Sequence, residues 1–338
     1  MADLLKLSRR SVLMMPIALA ACKNGASVLR LTGPTMGTTF TVVAIDEERS
    51  LTEADLSGVI QTALAEVDAS LSNWNPRSEI SRLNATTDAN AFQMSRDLAT
   101  VMDAAETVHL ASDGRFDTTM GPLIELWGFG APGTSPMPTE DAIAEALSRT
   151  GHGNVLSLDA NAVRKRRAEA QVYLAGIGKG YGADHVARAI EALGIRNYMV
   201  EIGGDIYASG RNTGGVPWQI GIETPTALGG GVHQVVGLSG LGLASSGDYR
   251  NYFEQDGRRF SHVIDPGTGH PITHQTASAT VLAENSMLAD AWSTAMLILG
   301  RERGREIAEA HDVAVLFIDR DGTDFRSEAS TRFDELTA

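Results

Sequence analysis

The sequence predicts an α+β fold, in which helices pack on a largely antiparallel sheet within a single domain. Apolar residues recur at helical spacing in the first half of the chain. Between Tyr198 and Ala283, short runs rich in β-branched and aromatic residues alternate with turns of Gly, Pro and Asp. Such spacing favours antiparallel pairing, with helices on the sheet. The predicted domain covers residues 27–337.

The first half of the chain is expected to contain one strand and three helices. Thr38–Ala44 reads as a strand after a Gly-Pro turn. Ser50 and Glu53 form a capping box for a helix with a periodic apolar face. The apolar positions of this face are Leu56, Ile60, Leu64, Val67 and Leu71. A second helix carries apolar residues from Leu98 to Val108 and stops at Gly114, and a third runs over 141–148.

The second half is expected to be richer in strands. The apolar run 172–177 reads as a strand before a glycine cluster, and a helix follows over 183–193. A long helix over 286–299 and a final helix–strand pair close the domain. Six short β-rich runs lie between these helices. They are Tyr198–Ile202, Trp218–Glu223, Val232–Leu238, Tyr249–Phe253, Phe260–Ile264 and Ala277–Ala283.

The first 22 residues predict an export signal rather than part of the fold. Residues 8–13 (SRRSVL) resemble a twin-arginine signal, and the apolar run that follows is too short to be a permanent membrane helix. Leu19-Ala20-Ala21-Cys22 resembles a lipoprotein cleavage box, which predicts acylation of Cys22. Export by the twin-arginine or Sec route would leave the protein on the periplasmic side of the inner membrane, anchored by lipid. An ordinary signal peptide with an incidental cysteine is the alternative.

Composition limits the function classes. The formal net charge is −14, which argues against a nucleic-acid partner, because phosphates require a basic face. Cys22 is the only cysteine, which excludes an intramolecular disulfide and a thiolate metal cluster.

A glycine-rich segment invites a dinucleotide-binding interpretation. Gly178–Ala183 fits G-x-G-x-x-A and opens a helix. The short antiparallel-type strands that follow do not continue as βα units, so the segment is interpreted as main chain that approaches a phosphate or a metal in another fold. The alternative is a helix start that needs glycines for close packing.

Two further places carry candidate chemistry. Asp290 and Thr294 lie at i and i+4 on one helix, so a carboxylate and a hydroxyl share a face. Both are hard oxygen donors of the kind that Mg²⁺ or Ca²⁺ binds. The alternative is a solvent-facing Asp and a Thr bonded within its helix. His262 lies directly before the Asp265-Pro266-Gly267 turn and could act as a general base, or the segment could be a turn beside an incidental histidine. Trp127, taken alone, reads as a core residue.

Ordered motifs along almost the whole mature chain resemble the ApbE-type FAD:protein FMN transferases. Each motif is weak alone, and their order makes the set specific. The motifs are Pro34–Thr38, Leu71–Glu79, Phe116–Leu123, Leu126–Phe129, Leu174–Asp184, Gly203–Asp205, Ser245–Arg250, His262–Gly269 and Ala289–Thr294.

The resemblance implies Mg²⁺-dependent transfer of FMN from FAD to a Thr or Ser hydroxyl of a partner protein, with release of AMP. His262 would be the base and Lys179 would add positive potential. Ca²⁺ or Mn²⁺ could replace Mg²⁺. The implied metal ligands are the Gly176 carbonyl and the side chains of Asp290 and Thr294, with Ser293 beside them. The implied flavin-nucleotide contacts are Met36, Trp74, Arg115, Phe116, Asp117, Tyr173, Lys179 and Ile264.

Several expectations remain open at this level. Tyr173 stands where many family members have Asp, and Ser245 where Thr is common. The acceptor is expected to be a membrane or periplasmic redox subunit. A FAD pyrophosphatase that uses water as acceptor and a non-catalytic flavin-binding lipoprotein are alternatives to the transferase, and an NAD-linked oxidoreductase is a more distant one.

Overall fold

The structure is a computed structural model that describes residues 25–88, 90–129, 137–226, 230–249, 252–255 and 258–338. The predicted export signal with Cys22 lies outside the described residues, as does Arg250 of the Ser245–Arg250 motif. Within the described part of the chain, no helix has the length and apolar character needed to cross a membrane.

The described residues form mainly helices in the first half of the chain and mainly strands between Asn197 and Ala283. The strands are β1 (Ser27–Thr35), β2 (Thr38–Asp46), β3 (Phe92–Gln93), β4 (Leu156–Asp159), β5 (Ala162–Lys165), β6 (Asn197–Ile202), β7 (Asp205–Ser209), β8 (Trp218–Glu223), β9 (Val232–Leu238), β10 (Leu241–Gly247), β11 (Tyr252–Gln255), β12 (Arg258–Ser261), β13 (Thr276–Ala283), β14 (Ala314–Asp321) and β15 (Asp324–Ala329). The helices are α1 (Glu53–Leu71), α2 (Glu79–Ala85), α3 (Arg96–Ala111), α4 (Gly121–Leu126), α5 (Glu140–Leu147), α6 (His152–Val155), α7 (Gly178–Ala192), α8 (Ser286–Ala310) and α9 (Thr331–Thr337).

An eight-stranded sheet organises the molecule, in the order β1-β2-β6-β7-β10-β13-β14-β15. Each neighbouring pair in it is antiparallel, which confirms the predicted α+β class and excludes the parallel dinucleotide-binding fold. The described residues also form a three-stranded sheet (β3-β5-β4) and two hairpins, β8–β9 and β11–β12.

The first hairpin differs from the prediction. Gly33 and Pro34 lie inside β1, and the chain reverses at Met36 and Gly37, which both have positive φ (47° and 71°). The ladder runs to Thr35 opposite Thr38, which leaves a two-residue loop. Positive φ at both loop residues matches the twist of a tight hairpin. Pro34 is tolerated because β1 is an edge strand, where a missing amide need not break the ladder.

The predicted cap of α1 was displaced by two residues. Thr52, rather than Ser50, is the N-cap, and Asp55 completes the capping box, because Thr52 Oγ1 accepts from the Asp55 amide at 3.2 Å. The predicted apolar face was right, since all five of its residues are buried. They are Leu56, Ile60, Leu64, Val67 and Leu71.

Helices α7 and α8 pack side by side and position the site described below. The side chains of α7, with those of α1, form a core against β2 and β6. The side chains of α8 form another core against β10, β13 and β14. Gly180 of α7 has no room for a side chain, because a Cβ there would lie 2.2 Å from the carbonyl oxygen of Ser286. The absence of this Cβ lets the two helices approach closely.

Some predicted boundaries were wrong for local reasons. Residues 172–174 are not a strand, because side chains satisfy their main chain: Asn73 Nδ2 donates to the Val172 carbonyl at 2.7 Å, and Asn84 Oδ1 accepts from the Val172 amide at 2.8 Å. Helix α7 begins at Gly178, five residues before the predicted start at 183. The predicted end of the long helix at 299 was right, since Gly300 (φ 69°, ψ 171°) interrupts α8 and a second helical segment follows.

Candidate active site

The glycine-rich start of α7 faces the middle of α8. The Gly180 amide donates to Asp290 Oδ2 at 3.2 Å, and Asp290 is only 3% exposed. This burial excludes the solvent-facing alternative for Asp290. The carboxylate lies beside the first turn of α7, where unpaired amides carry partial positive charge. The two segments that the sequence singled out separately therefore lie together.

The predicted oxygen donors lie on one side of α8. A Cβ on Gly176 would lie 3.0 Å from Thr294 Oγ1, so the Gly176 main chain and the Thr294 side chain are in contact range. Ser293 Oγ donates to the Asp290 carbonyl at 3.0 Å and lies 2.9 Å from Ser246 Oγ. Ser246 Oγ is also 3.3 Å from Thr294 Oγ1. Ser246, Ser293 and Thr294 thus bring three hydroxyl oxygens together at this point.

Lys179 is the positive charge of the site. Its Nζ lies 2.6 Å from Asp205 Oδ2 and 3.4 Å from both oxygens of Asp290. Burial alone would lower the pKa of Lys179, but the two carboxylates outweigh it and hold that pKa above its ordinary value. Burial, together with the charge of Asp290, raises the pKa of Asp205 well above its ordinary value, against the opposing effect of Lys179.

The predicted donor set contains one carboxylate. Among the described residues there is no cluster of three His, Cys, Asp or Glu side chains suited to a metal ion. A divalent cation at this place would rely on Asp290, the Gly176 carbonyl and neutral hydroxyls. Such donors suit Mg²⁺ rather than a transition metal, because Mg²⁺ prefers oxygen and keeps several waters.

Two predicted flavin contacts lie on the edges of this region. Met36 packs on the start of α7, since a Cβ on Gly182 would lie 3.2 Å from its Sδ, and one on Gly178 would lie 3.8 Å from its Cε. Trp74 follows α1 and is 78% exposed. Its neighbour Asn73 binds the main chain of Val172 and Leu174, so the main chain of Trp74 follows a residue that is fixed to that segment.

The three residues 115–117 contact three different parts of the structure. Phe116 is buried, and a Cβ on Gly176 would lie 3.3 Å from its ring. Asp117 accepts from the amides of Thr119 at 2.7 Å and His152 at 3.2 Å, so its carboxylate organises main chain. Arg115 Nε lies 3.4 Å from Asp265 Oδ1. Arg115 thereby links this stretch to the turn after His262.

Tyr173, one of the implied flavin contacts, donates its hydroxyl to an acid. Tyr173 Oη donates to Glu125 Oε1 at 2.8 Å, and a Cβ on Gly121 would lie 2.4 Å from the tyrosine ring. Burial, and secondarily the Glu125 hydrogen bond, raises the pKa of Tyr173 to about 12, so the phenol is a neutral donor at physiological pH. The Tyr173–Glu125 pair keeps a carboxylate near position 173.

His262 lies at the edge of an aromatic cluster. Its ring is 6.2 Å from that of Phe129 in an edge-on arrangement. Asp265 builds the following turn, because its Oδ1 accepts from the Gly267 amide at 2.8 Å. The Ile264 side chain is buried, so any contact of this residue with flavin would come from main chain. Trp127 is a core residue, as expected from the sequence. It is 5% exposed and donates from Nε1 to the Gly269 carbonyl.

Comparison with known proteins decides the family. A family model described as "ApbE family" matches residues 36–317. The FAD:protein FMN transferase of Haemophilus influenzae is 43% identical over 332 residues, covering 96% of this chain and 95% of that protein. The chain belongs to the ApbE family.

Solved ApbE structures share the fold. The flavin transferase ApbE from Vibrio cholerae superposes with a TM-score of 0.85 at 38% identity, covering 92% of this chain and 99% of that one. The apo form of the Pseudomonas stutzeri flavinyl transferase ApbE gives a TM-score of 0.84 at 37% identity, covering 92% and 97%. The predicted family and the single-domain ApbE fold are thus confirmed.

The structure of this ApbE protein adds two residues that the sequence did not assign. Asp205 was visible only as the end of a Gly-Gly-Asp motif, and Ser246 only as part of another motif. Asp205 is one of two carboxylates on Lys179, and Ser246 bridges Ser293 and Thr294. Neither contact follows from sequence spacing, because each joins elements distant along the chain.

Proposed function

We propose that this chain is an FAD:protein FMN transferase, which moves FMN from FAD to a Ser or Thr hydroxyl of an acceptor protein and releases AMP. One observation carries the proposal: a match to transferases of that name extends over nearly the whole chain. Three of the motif segments also lie together, because Lys179 contacts Asp205 and Asp290. The relatives' names support an enzyme that acts on another protein.

Mg²⁺ is the proposed metal, with Ca²⁺ or Mn²⁺ as alternatives. The Gly176 carbonyl, Asp290 and Thr294 would hold it, with Ser293 beside them. The fit rests on the shared oxygen chemistry of these groups and on the contact of Gly176 with Thr294. When bound, the metal would supply charge neutralisation on the diphosphate of FAD.

The proposed flavin-nucleotide contacts are those that the family resemblance implies. Met36, Trp74, residues 115–117, Tyr173, Lys179 and Ile264 would hold the FMN half. The exposed Trp74 indole offers a flat apolar surface for a ring, and Lys179 and Arg115 offer positive charge for phosphate. Since the side chains of Phe116 and Ile264 are buried, they would act by shaping the wall or through main chain.

The proposed step is an in-line displacement at phosphorus. The acceptor oxygen forms a bond to the FMN-side phosphorus, and the bond from that phosphorus to the bridging oxygen breaks. AMP leaves with the electron pair of this bond, and His262 takes the proton of the acceptor hydroxyl. Lys179 would add positive potential near the charge that develops on the phosphates.

The acceptor is proposed to be a membrane or periplasmic redox subunit. This follows from the predicted export signal and Cys22 box, which would place the enzyme on the periplasmic side of the inner membrane with a lipid anchor. The strongly negative net charge argues against a nucleic-acid partner.

Incubation with FAD, MgCl₂ and a candidate acceptor tests the function. Covalent transfer leaves a flavin-fluorescent acceptor band after denaturing electrophoresis and one AMP per labelled acceptor. AMP and free FMN without a labelled band would indicate a pyrophosphatase and reject the transferase. FAD binding without AMP would indicate a flavin-binding protein that is not an enzyme. Acceptors identified by mass spectrometry of membrane flavoproteins, with and without co-expression of this chain, provide the substrate.

A further inference from the structure

The ammonium of Lys179 lies between two buried carboxylates that come from different elements. Its contact with Asp205 is short, at 2.6 Å, and its contacts with Asp290 are longer, at 3.4 Å. The Asp205 and Asp290 side chains are each 4% exposed, whereas that of Lys179 is 26% exposed. The Lys179 side chain therefore has room to move, whereas the buried side chains of Asp205 and Asp290 are held in place by the fold.

The stem of Lys179 has a defined support. A Cβ on Gly203 would lie 3.2 Å from Lys179 Cδ, so the alkyl chain crosses the Gly203–Gly204 turn. Asp205 follows directly and begins β7. This turn and Asp205 would together hold the ammonium near the site if its contact with Asp290 were broken.

In the structure, protein groups compensate the Asp290 carboxylate. Lys179 contacts both of its oxygens, and the Gly180 amide donates to Oδ2. A buried carboxylate without such partners would be costly. A divalent cation that binds Asp290 brings two positive charges to the same oxygens, and like charges this close repel strongly in a partly buried site.

Resting on the metal-dependent function proposed above, we propose that Lys179 is an internal counter-ion that a divalent cation displaces from Asp290. Asp205 keeps the displaced ammonium beside the site. In the metal-free protein Lys179 neutralises Asp290. With metal bound it pairs with Asp205 alone and leaves its remaining hydrogens directed at the phosphates of FAD. Asp205 is thus a positioning residue for Lys179, and the exchange couples metal binding to the placement of a phosphate-facing cation.

Structures of the protein crystallised with and without MnCl₂ test the exchange directly. Lys179 Nζ should move beyond hydrogen-bond distance of Asp290 when Mn²⁺ is bound, while its contact with Asp205 persists. If Nζ stays within hydrogen-bond distance of Asp290 in the Mn²⁺-bound protein, the exchange is wrong. If calorimetry shows that the parent binds no Mn²⁺ with or without FAD, the proposed metal role fails and the exchange fails with it. Failure of the exchange alone is distinguishable from this result, because Mn²⁺ would then bind while Nζ stays on Asp290.

Mn²⁺ affinities of variants, measured by calorimetry without FAD, provide an independent test. Lys179→Met should bind Mn²⁺ roughly tenfold more tightly, because no ammonium competes with the metal for Asp290. Asp205→Asn should bind Mn²⁺ roughly tenfold more weakly, because the lysine then pairs with Asp290 alone. A tenfold change in affinity corresponds to about 1.4 kcal/mol of binding free energy. Lys179→Arg keeps the charge and should stay near the parent. Arg326→Met and Asp324→Asn make the same charge changes on the edge strand β15 and serve as matched controls.

The double variant separates exchange from diffuse electrostatics. If Asp205 acts by holding Lys179, then Asp205→Asn should have a much smaller effect on Mn²⁺ affinity in the Lys179→Met background than in the parent. Strictly additive effects would contradict the exchange. Circular dichroism checks folding, since Lys179→Met leaves two buried carboxylates uncompensated. If that variant does not fold, the paired crystal structures decide the question.

Discussion

Asp184 Oδ1 accepts a hydrogen bond at 2.8 Å from the amide of Ser286, the first residue of α8. The other oxygen, Oδ2, accepts from the Met287 amide, also at 2.8 Å. One side chain of α7 thereby caps the helix that carries Asp290. The contact fixes the two halves of the candidate site relative to each other, and it places negative charge at a helix N-terminus, where the macrodipole favours it.

Asp184→Ala should therefore destabilise the protein by roughly 2 kcal/mol, because two buried amides lose their acceptors. Urea denaturation measures this loss. The exposed Asp324→Ala is the control and should change stability by less than about 0.5 kcal/mol. A stability equal to that of the parent would show that the Asp184 cap contributes nothing to holding α8.

His152 makes stability depend on pH. Burial lowers the pKa of His152 to about 4, although the charge of Asp117 opposes this. Between its ordinary value of 6.5 and about 4, the unfolded chain binds a proton that the folded protein does not. His152 therefore costs no stability above pH 6.5. As the pH falls from 6.5 towards 4, the free energy of unfolding decreases by about 1.4 kcal/mol per pH unit, and by roughly 3 kcal/mol in all.

His152→Gln should remove most of this pH dependence, measured by urea denaturation at pH 7.5 and pH 5. The difference between parent and variant isolates His152 from Asp184, because burial raises the pKa of Asp184 to about 6 and its protonation acts in the opposite direction. Equal slopes in parent and variant would exclude His152 as the source.

His262→Ala should reduce FMN transfer about 10²- to 10⁴-fold while leaving FAD binding near that of the parent, because a general base acts only in the chemical step. Single-turnover labelling of the acceptor measures the rate, and quenching of protein fluorescence measures FAD binding. Added imidazole should restore part of the rate. His270→Ala changes a histidine in the same loop that binds Glu140 at the surface, and should keep the parent rate. Transfer by His262→Ala at the parent rate would reject the assigned base.

Asp290→Asn should raise the Mg²⁺ concentration needed for half-maximal transfer tenfold or more, on the order expected for loss of the single carboxylate ligand. High Mg²⁺ should restore much of the activity. Titration with MgCl₂ in parent and variant gives the comparison, and Asp324→Asn is the charge-matched control. Activity in EDTA equal to that in Mg²⁺ would reject the metal role.

The sequence predicted those parts of the fold that follow from local pattern. The apolar face of α1 and the span 286–299 of α8 were right because helical periodicity is read along one segment. The strand β1 was missed, because Gly33 and Pro34 signal a turn and only the edge position tolerates them. The segment 172–174 was misread as a strand, because its partners are the side chains of Asn73 and Asn84 from distant elements.

The site shows the same division. Asp290 and Thr294 share a helix face, so their pairing could be read from spacing alone. The pairing of Lys179 with Asp205, and of Ser246 with Ser293, depends on which strands lie beside α7 and α8. Long-range packing decides those contacts, and a single sequence gives no local signal for them.

Close packing at the start of α7 is the basis of the last prediction. Gly180→Ala should destabilise the protein by about 1–3 kcal/mol, because its Cβ would lie 2.2 Å from the Ser286 carbonyl oxygen and neither backbone can yield without moving α8. Gly178→Ala is a control two residues away in the same helix, where a Cβ would make only ordinary contact, 3.8 Å from Met36 Cε. Thermal unfolding should separate the two variants clearly. Because the strain in Gly180→Ala also shifts α8, its Mn²⁺ affinity should fall with its stability, whereas Gly178→Ala should keep both. A Gly180→Ala protein as stable as Gly178→Ala would mean that the approach of α7 to α8 is looser than the structure shows.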